Sequence, residues 1–335
     1  MLKIGIAGFG KMGQIRAKEI LKHPQTKLVA IFEQAGEVST HEYCNAIFCN
    51  SYEELLKQDL DALFICAYNN VAAHYTIQAL KKGYHVFCEK PPAHTTKELE
   101  AVLSVERNSN KILKYGFNHR LHYSVIEAKK IIDSNAMGKL LWLRGVYGKA
   151  GSIDYHKNWR NYKQYSGGGI LLDQGIHMLD LMCYFNNSDF DVLNATLSTS
   201  YWDIEVEDNA MITLKNDNII ATLHSSATQW KHKFLLEMCF EEGYIHLDGI
   251  LSNSRSYSPE TLICGRREFE DTTYAMGKPK ENITWFENDD SWKLELDEFV
   301  QAITSHSTLI HGTSQDAYRA LNLVERIYDK SGFYA

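Results

Sequence analysis

A chain of 335 residues is longer than one core usually serves, so two domains are expected. Apolar residues make up 44% and charged residues 23%, and the net charge of -7 is mixed along the chain, which leaves no basic stripe for a nucleic acid. The apolar runs are too short for a membrane span, the start lacks a signal-peptide core, and seven cysteines without a CxxC pair read as reduced thiols, so a cytoplasmic protein is expected.

The first 118 residues alternate short apolar runs with helical patterns. Strands are predicted at Lys3–Ala7, Lys27–Phe32, Ala62–Ala67, His85–Cys88 and Ile112–Tyr115. Helices are predicted at Met12–Leu21, Tyr52–Lys57, Val71–Lys82 and Thr96–Ser109. Strands of this kind joined by helices argue for a doubly wound parallel sheet covered on both faces, an α/β dinucleotide-binding (Rossmann) domain over residues 1–118. Gly83 after Lys81 and Lys82 is a helix stop, and Thr95 or Thr96 followed by Glu98 is a helix start.

The first strand runs into Gly8-Phe9-Gly10-Lys11-Met12-Gly13 and then a helix. Gly8 permits a tight turn, Gly10 lets backbone approach a pyrophosphate, and Gly13 lets the helix sit close to the sheet. The helix N-terminus offers free N–H groups to phosphates. A GxGxxG alone is weak, but the strand before it, the helix after it and a distant acid agree here. That acid is Glu33, twenty residues past Gly13, placed to take a ribose 2′-OH. No Arg or Lys follows it closely to meet a 2′-phosphate, so NAD is expected over NADP. His41, Cys44 and Cys49 could suggest a metal, but no second ligand pair follows, and none is expected.

Tyr84-His-Val-Phe-Cys-Glu-Lys-Pro-Pro92 places Glu89 and Lys90 at the carboxyl end of the fourth strand, where open parallel sheets bind ligands. A lysine there can stabilise an alkoxide or relay a proton. On position alone, a solvated lysine fits equally well.

After about residue 135 the pattern changes to consecutive strands at Leu140–Tyr147, Leu193–Tyr201, Ala210–Lys215, Ile219–Ser225, Phe234–Phe240 and Tyr244–Leu247. Short turn-like links such as Asn216-Asp217-Asn218 favour an antiparallel sheet. Helices at Ser291–His306 and Ser314–Lys330 follow, the second opened by a capping box, Thr313-Ser-Gln-Asp316. Residues 119–335 thus form an α+β domain with an open, largely antiparallel sheet. Such a face needs cover, so homo-oligomerisation is expected.

Within this half, Tyr155-His-Lys-Asn-Trp159-Arg160-Asn-Tyr-Lys-Gln-Tyr165 interleaves aromatic and basic residues and leads into Gly167-Gly-Gly-Ile-Leu-Leu-Asp173-Gln-Gly-Ile-His177-Met-Leu-Asp180. Asp173 and His177 are four apart and share a helix face, with apolar neighbours that should bury much of the helix. Polar groups there are costly unless paired or lining a cleft. His177 is the natural proton acceptor, and Asp173 could orient it or bind a hydroxyl. A satisfied Asp–His pair in a core is the bland alternative. Aromatic faces at Tyr155, Trp159 and Trp230 suit sugar rings, and Arg120, Lys149 and Arg160 could meet an anionic handle, so a phosphorylated or nucleotide-linked sugar is expected. Trp230 and His232 are a second candidate for the substrate face.

The glycine motif, Glu89-Lys90-Pro91, Gly116-Phe-Asn-His-Arg120 and the Gly-Gly-Gly…Asp173…His177…Asp180 helix together resemble the Gfo/Idh/MocA family of glucose–fructose oxidoreductase and inositol dehydrogenase. The resemblance covers essentially the whole chain, in order. It implies a catalytic triad of Lys90, Asp173 and His177, and an assembly of dimers or tetramers. Ala67, Tyr68 and Asn69, with His74 after them, resemble the family's cofactor-side loop, although Tyr68-Asn69 departs from the Thr-Pro pair common there. The implied activity is hydride transfer between NAD and a hydroxyl or keto carbon of a sugar-like molecule. The family also includes NAD-dependent glycosidases that oxidise transiently, and regulators that bind dinucleotide without turnover.

Overall fold

The computed structural model describes residues 1–34, 43, 45–252, 254–269, 273–274 and 277–334. His41 and Cys44, two of the three residues weighed against a metal site, lie outside the described residues. The elements run β1 (Leu2–Ala7), α1 (Lys11–Lys22), β2 (Thr26–Phe32), β3 (Ile47–Cys49), α2 (Tyr52–Leu55), β4 (Ala62–Ile65), α3 (Asn69–Lys82), β5 (His85–Glu89), α4 (Thr96–Glu106) and β6 (Leu113–Gly116). Next come α5 (Tyr123–Asp133), β7 (Leu140–Gly148), α6 (Lys163–Ser166), a π-helical turn (Leu171–Gly175), α7 (Ile176–Asn186), β8 (Asp191–Ser198) and β9 (Asn209–Asn216). The chain continues with β10 (Ile219–Ser226), β11 (Lys233–Phe240), β12 (Gly243–Asp248), β13 (Glu260–Arg266), β14 (Glu281–Phe286), α8 (Ser291–Ser305) and α9 (Ser314–Ser331). No helix among the described residues is long and apolar enough to cross a membrane.

Two compact units result. The first comprises Met1–Asn118, Gln164–Gly167 and Trp292–Leu321, and the second His119–Lys163, Gly168–Ser291 and Asn322–Ala335.

In the first unit six strands pair in parallel in the order β3-β2-β1-β4-β5-β6. Every residue of β4 is buried, as expected for a strand with both faces covered. Strand order reverses between β1 and β4, where the carboxyl ends open a crevice for ligands. α3 stops at Gly83 and α4 starts at Thr95, whose hydroxyl accepts the Glu98 N–H at 3.2 Å, both as the sequence predicts. The core is not made from the first 118 residues alone. Leu296, Phe299, Val300 and Ile303 of α8 join Ile4, Ile6, Ile20, Phe64 and Phe87 in one cluster, with Phe299 edge-on to Phe64 at 5.6 Å. The helix that the sequence assigns to the second domain thus packs in the first.

A buried ionic cluster accompanies this packing. Arg16 on α1, 1% exposed, donates from Nε to Glu89 at 2.7 Å and from a terminal nitrogen to Glu295 at 2.6 Å. Its guanidinium carbon lies 4.2 Å from the Phe87 ring centre and 4.6 Å from that of Trp292. Lys114 donates to Glu298 at 2.9 Å and to the His311 carbonyl. Burial pushes the Glu295 carboxyl up to about 7, against the pull of Arg16. Between the unfolded and folded values, the folded chain keeps a proton that the unfolded chain releases. The contribution of this group to stability is full below the unfolded value and is lost as pH rises through about 7. Glu295→Gln should therefore flatten part of any fall in Tm between about pH 5 and about pH 8. Thermal unfolding of both chains across that range checks this, and parallel Tm curves would contradict it.

The second unit is built on an eight-stranded sheet ordered β14-β13-β12-β11-β7-β10-β9-β8. All neighbours are antiparallel except β7 and β10, which are parallel. α5 and α7 pack against this sheet. Trp142 and Ile220, side by side on β7 and β10, are exposed.

Candidate active site

The crevice of the first unit forms where β1 meets β4. Gly8 has φ +91, and a Cβ there would come within 2.5 Å of the Cys66 carbonyl, so only glycine fits. A Cβ on Gly13 would sit 2.1 Å from the Gly8 oxygen, which is the close helix approach the motif demands. A Cβ on Gly10 would meet nothing within 4 Å, so its backbone faces open space. α1 begins at Gly10 without a side-chain cap and without an acid in its first turn. Exposed Lys11 and half-buried Met12 complete the loop. These features fit a pyrophosphate at the helix N-terminus. Half-buried Glu33, just past the end of β2, accepts the Phe9 N–H, so the acid and the glycine loop are brought together.

Ala67 adjoins Gly8, its nitrogen 2.7 Å from where a Gly8 Cβ would stand. Tyr68 caps α3 and packs 5.6 Å from the Tyr165 ring, while Asn69 donates to the Ser166 carbonyl at 2.8 Å. His74 is exposed on α3, 6.2 Å from the Tyr75 ring. Glu89 departs from expectation. Its carboxylate is engaged by Arg16, a partner 73 residues away that local spacing does not reveal. Lys90 follows it, half-buried past the end of β5.

In the second unit the predicted reaction helix has two parts. Asp173 lies in the π turn and His177 in α7, so one helical register does not run through both. Such π segments are frequent at functional sites. The glycine run fits tight packing, since a Cβ on Gly168 would lie 2.1 Å from the Tyr328 hydroxyl and one on Gly169 2.1 Å from the Glu207 carbonyl. Buried Glu207 accepts the N–H groups of Gly169 at 2.9 Å and Leu171 at 3.0 Å, and the hydroxyls of Tyr328 at 2.9 Å and Tyr334 at 2.6 Å. A carboxylate fixed by four donors thus anchors the start of the stretch that carries Asp173 and His177.

Two cations bracket Asp173: Lys149 Nζ at 2.9 Å and Arg160 Nε at 3.2 Å. Burial alone would push the Lys149 ammonium down, but Asp173 and Tyr155 hold it above the usual lysine range. Tyr155 lies 5.2 Å from Lys149 Nζ and 4.8 Å from the Trp202 ring, and Trp159 carries the Arg160 guanidinium at 4.4 Å. Trp230 is exposed, 4.9 Å from the Tyr201 ring. Arg120 corrects the sequence reading. It makes two bonds to Asp180, at 2.8 and 2.6 Å, with both residues buried, so its charge is engaged inside the fold and not by a substrate anion.

The sequence missed several neighbours of this cluster. His119 stacks on His177 at 3.8 Å and 14°, and its Nε2 lies 2.9 Å from the Tyr147 hydroxyl. Tyr147 lies 5.5 Å from the Tyr257 ring, Gln174 donates to the Tyr257 hydroxyl at 3.1 Å, and His232 packs 4.9 Å from Tyr257. Burial, with Lys149 adding, pushes the His232 imidazole below its usual range. Tyr147 could have been found, because it lies at the end of β7, only two residues before Lys149. Tyr257 sits in a loop without regular spacing and left no such signal. Among the described residues, no group of three His, Cys, Asp or Glu could hold a metal.

Comparison with known proteins decides the family. Residues 2–117 match the model of an oxidoreductase family with an NAD-binding Rossmann fold, and residues 125–246 match the GFO/IDH/MocA C-terminal domain. The chain belongs to the GFO/IDH/MocA family. Within that family it is 34% identical over 143 residues to a levoglucosan dehydrogenase of Pseudarthrobacter phenanthrenivorans, covering 42% of this chain and 36% of that one. It is 25% identical to an inositol 2-dehydrogenase of Salmonella typhimurium over 81% of this chain and 82% of the other. The matches to the first curated relatives span 63%, 36% and 53% of those proteins' lengths. In fold it is similar to a 3-ketoreductase from Actinomadura kijaniata in complex with NADP and TDP-benzene, with TM-score 0.83 and 18% identity over 98% of this chain and 97% of that one. The GFO/IDH/MocA assignment agrees with the parallel first sheet and the mostly antiparallel second one.

Proposed function

We propose that this chain is an NAD-dependent dehydrogenase or reductase acting on a hydroxyl or keto carbon of a sugar or polyol. The observation that carries the reading is the polar cluster around Asp173 and His177, since an inert core has no use for two cations on one carboxylate and two stacked imidazoles. When bound, the nicotinamide dinucleotide supplies the hydride acceptor or donor. Its phosphates fit the uncapped start of α1, and Glu33 supports NAD by favouring a free ribose 2′-OH. His177 accepts the proton of the reacting hydroxyl, and Lys90 supplies a hydrogen bond that stabilises developing alkoxide. Asp173, braced by Lys149 and Arg160, holds a neighbouring hydroxyl in place.

Relatives named for levoglucosan and inositol support a neutral hydroxylated ring. The anionic handle expected from sequence loses Arg120 and retains only Lys149 and Arg160, both already on Asp173. Sugar phosphates and nucleotide sugars are therefore the less favoured class. Exposed Trp142 and Ile220 on the second sheet support a homo-oligomer.

The test is the change in reduced-nicotinamide absorbance with NAD and NADP across inositols, free sugars, glycosides, sugar phosphates and nucleotide sugars. Turnover with a neutral class and NAD is expected. Silence across the panel with tight NAD binding would overturn the reading in favour of a glycosidase with transient oxidation or a dinucleotide-binding regulator.

A further inference from the structure

Among the polar groups of the second unit, His119 has no part in the reaction described above. Yet its ring lies flat on that of His177, 3.8 Å away at 14°, and the two residues are 7% and 5% exposed. On its edge, Nε2 meets the Tyr147 hydroxyl at 2.9 Å. Tyr147 is itself fixed, with Phe234 edge-on at 5.2 Å and Tyr257 at 5.5 Å. Burial holds the Tyr147 phenol well above its usual range, so it keeps its O–H beside the His119 ring.

We propose that His119 is a positioning residue for His177, fixing the plane of the reacting imidazole and restricting the stacked pair to a single proton. The inference rests on the proposed role of His177. In oxidation the substrate O–H bond breaks and its proton goes to a His177 nitrogen. The C–H bond breaks with its electron pair, which leaves as hydride to the dinucleotide, and C=O forms. His177 is then a cation lying on the face of a neutral ring, an attractive arrangement. A second proton on His119 would place two like charges at stacking distance, and that state is excluded. Also facing His119 are Phe234 of β11 at 6.0 Å and His122 at 5.6 Å, whose Nδ1 lies 2.9 Å from buried Glu260 and whose Nε2 lies 3.9 Å from Asp289.

The test is a pH titration of histidine ring signals by NMR in uniformly folded protein labelled at histidine, for the wild type and His119→Phe. The expected result is two coupled steps in the wild type and a single His177 step in His119→Phe, displaced upward by about one pH unit. Kinetics provide the second readout, with the best substrate of the panel. Assayed well below Tm, His119→Ala should lower kcat about tenfold at unchanged KM, and His119→Phe, which keeps a flat ring, should recover most of it. A His177 titration that is the same in both chains would overturn the proposal, as would a loss of kcat that follows Tm. The titration needs no substrate. Coupled steps with a silent panel would sink the dehydrogenase reading and keep the pair, whereas independent steps with an active panel would do the reverse.

Discussion

Replacing Lys90 by alanine is expected to lower kcat about 10³-fold while leaving the affinity for NAD nearly unchanged, within the ~10²–10⁴-fold range of a positioned acid–base group. Three facts lead to this. Lys90 follows directly on β5, at the carboxyl end of a parallel strand. Its predecessor Glu89 is held by Arg16, so the backbone there is fixed. The dinucleotide features, Gly8 to Gly13 and Glu33, follow other strands, β1 and β2. Steady-state turnover measured beside a fluorescence titration of reduced dinucleotide separates the two effects. Equal losses in turnover and in binding would show that Lys90 holds the cofactor rather than the reacting oxygen.

The second large effect is expected in stability. Arg16→Met removes a buried guanidinium and leaves Glu89 and Glu295 facing each other without their shared donor. Breaking a buried pair from one side costs about 3–5 kcal/mol. A domain holds only about 5–15 kcal/mol in all, so the variant should sit near the edge of folding. Adding Glu295→Gln removes one of the two stranded carboxyl groups and should return part of the loss. Denaturant unfolding of the single and double variants checks both statements. A single-variant cost below about 1 kcal/mol would mean that the cluster behaves like an exposed ion pair.

Local features of the fold were legible, and distant ones were not. β1, β2, β4, β5 and β6 stand out as short continuous apolar runs because both faces are covered. The Thr313–Asp316 capping box appears as predicted, with reciprocal bonds of 3.0 and 3.1 Å. β3 has three residues and too little pattern to see. β14 is exposed along nearly its whole length, so no alternation marks it, and β13 beside it was missed as well. α5 buries only Ser124, Val125 and Ala128, a face too narrow to stand out beside the domain change.

The candidate site divides in the same way. Spacing found Asp173 and His177 on one stretch of chain. It could not see that Lys149 and Arg160 direct their charge to Asp173, or that Arg120 directs its own to Asp180, 60 residues on. Helical spacing speaks only of neighbours three or four residues apart, whereas these pairs are set by tertiary packing. The same limit hid the stack of His119 on His177, because the motif containing His119 draws attention to its arginine instead.

The placement of α8 has a consequence for how the protein is made. Ile4, Ile6 and Phe64 leave the ribosome early, whereas Leu296, Phe299 and Val300, which close the core over them, are among the late residues. The dinucleotide-binding unit therefore cannot complete itself during synthesis in the order of its sequence. It must hold an unfinished apolar surface until most of the chain has emerged, a state that favours slow closure and chaperone engagement. A fragment ending at Asn118 would carry every glycine of the cofactor loop and still lack the inner wall of its own core.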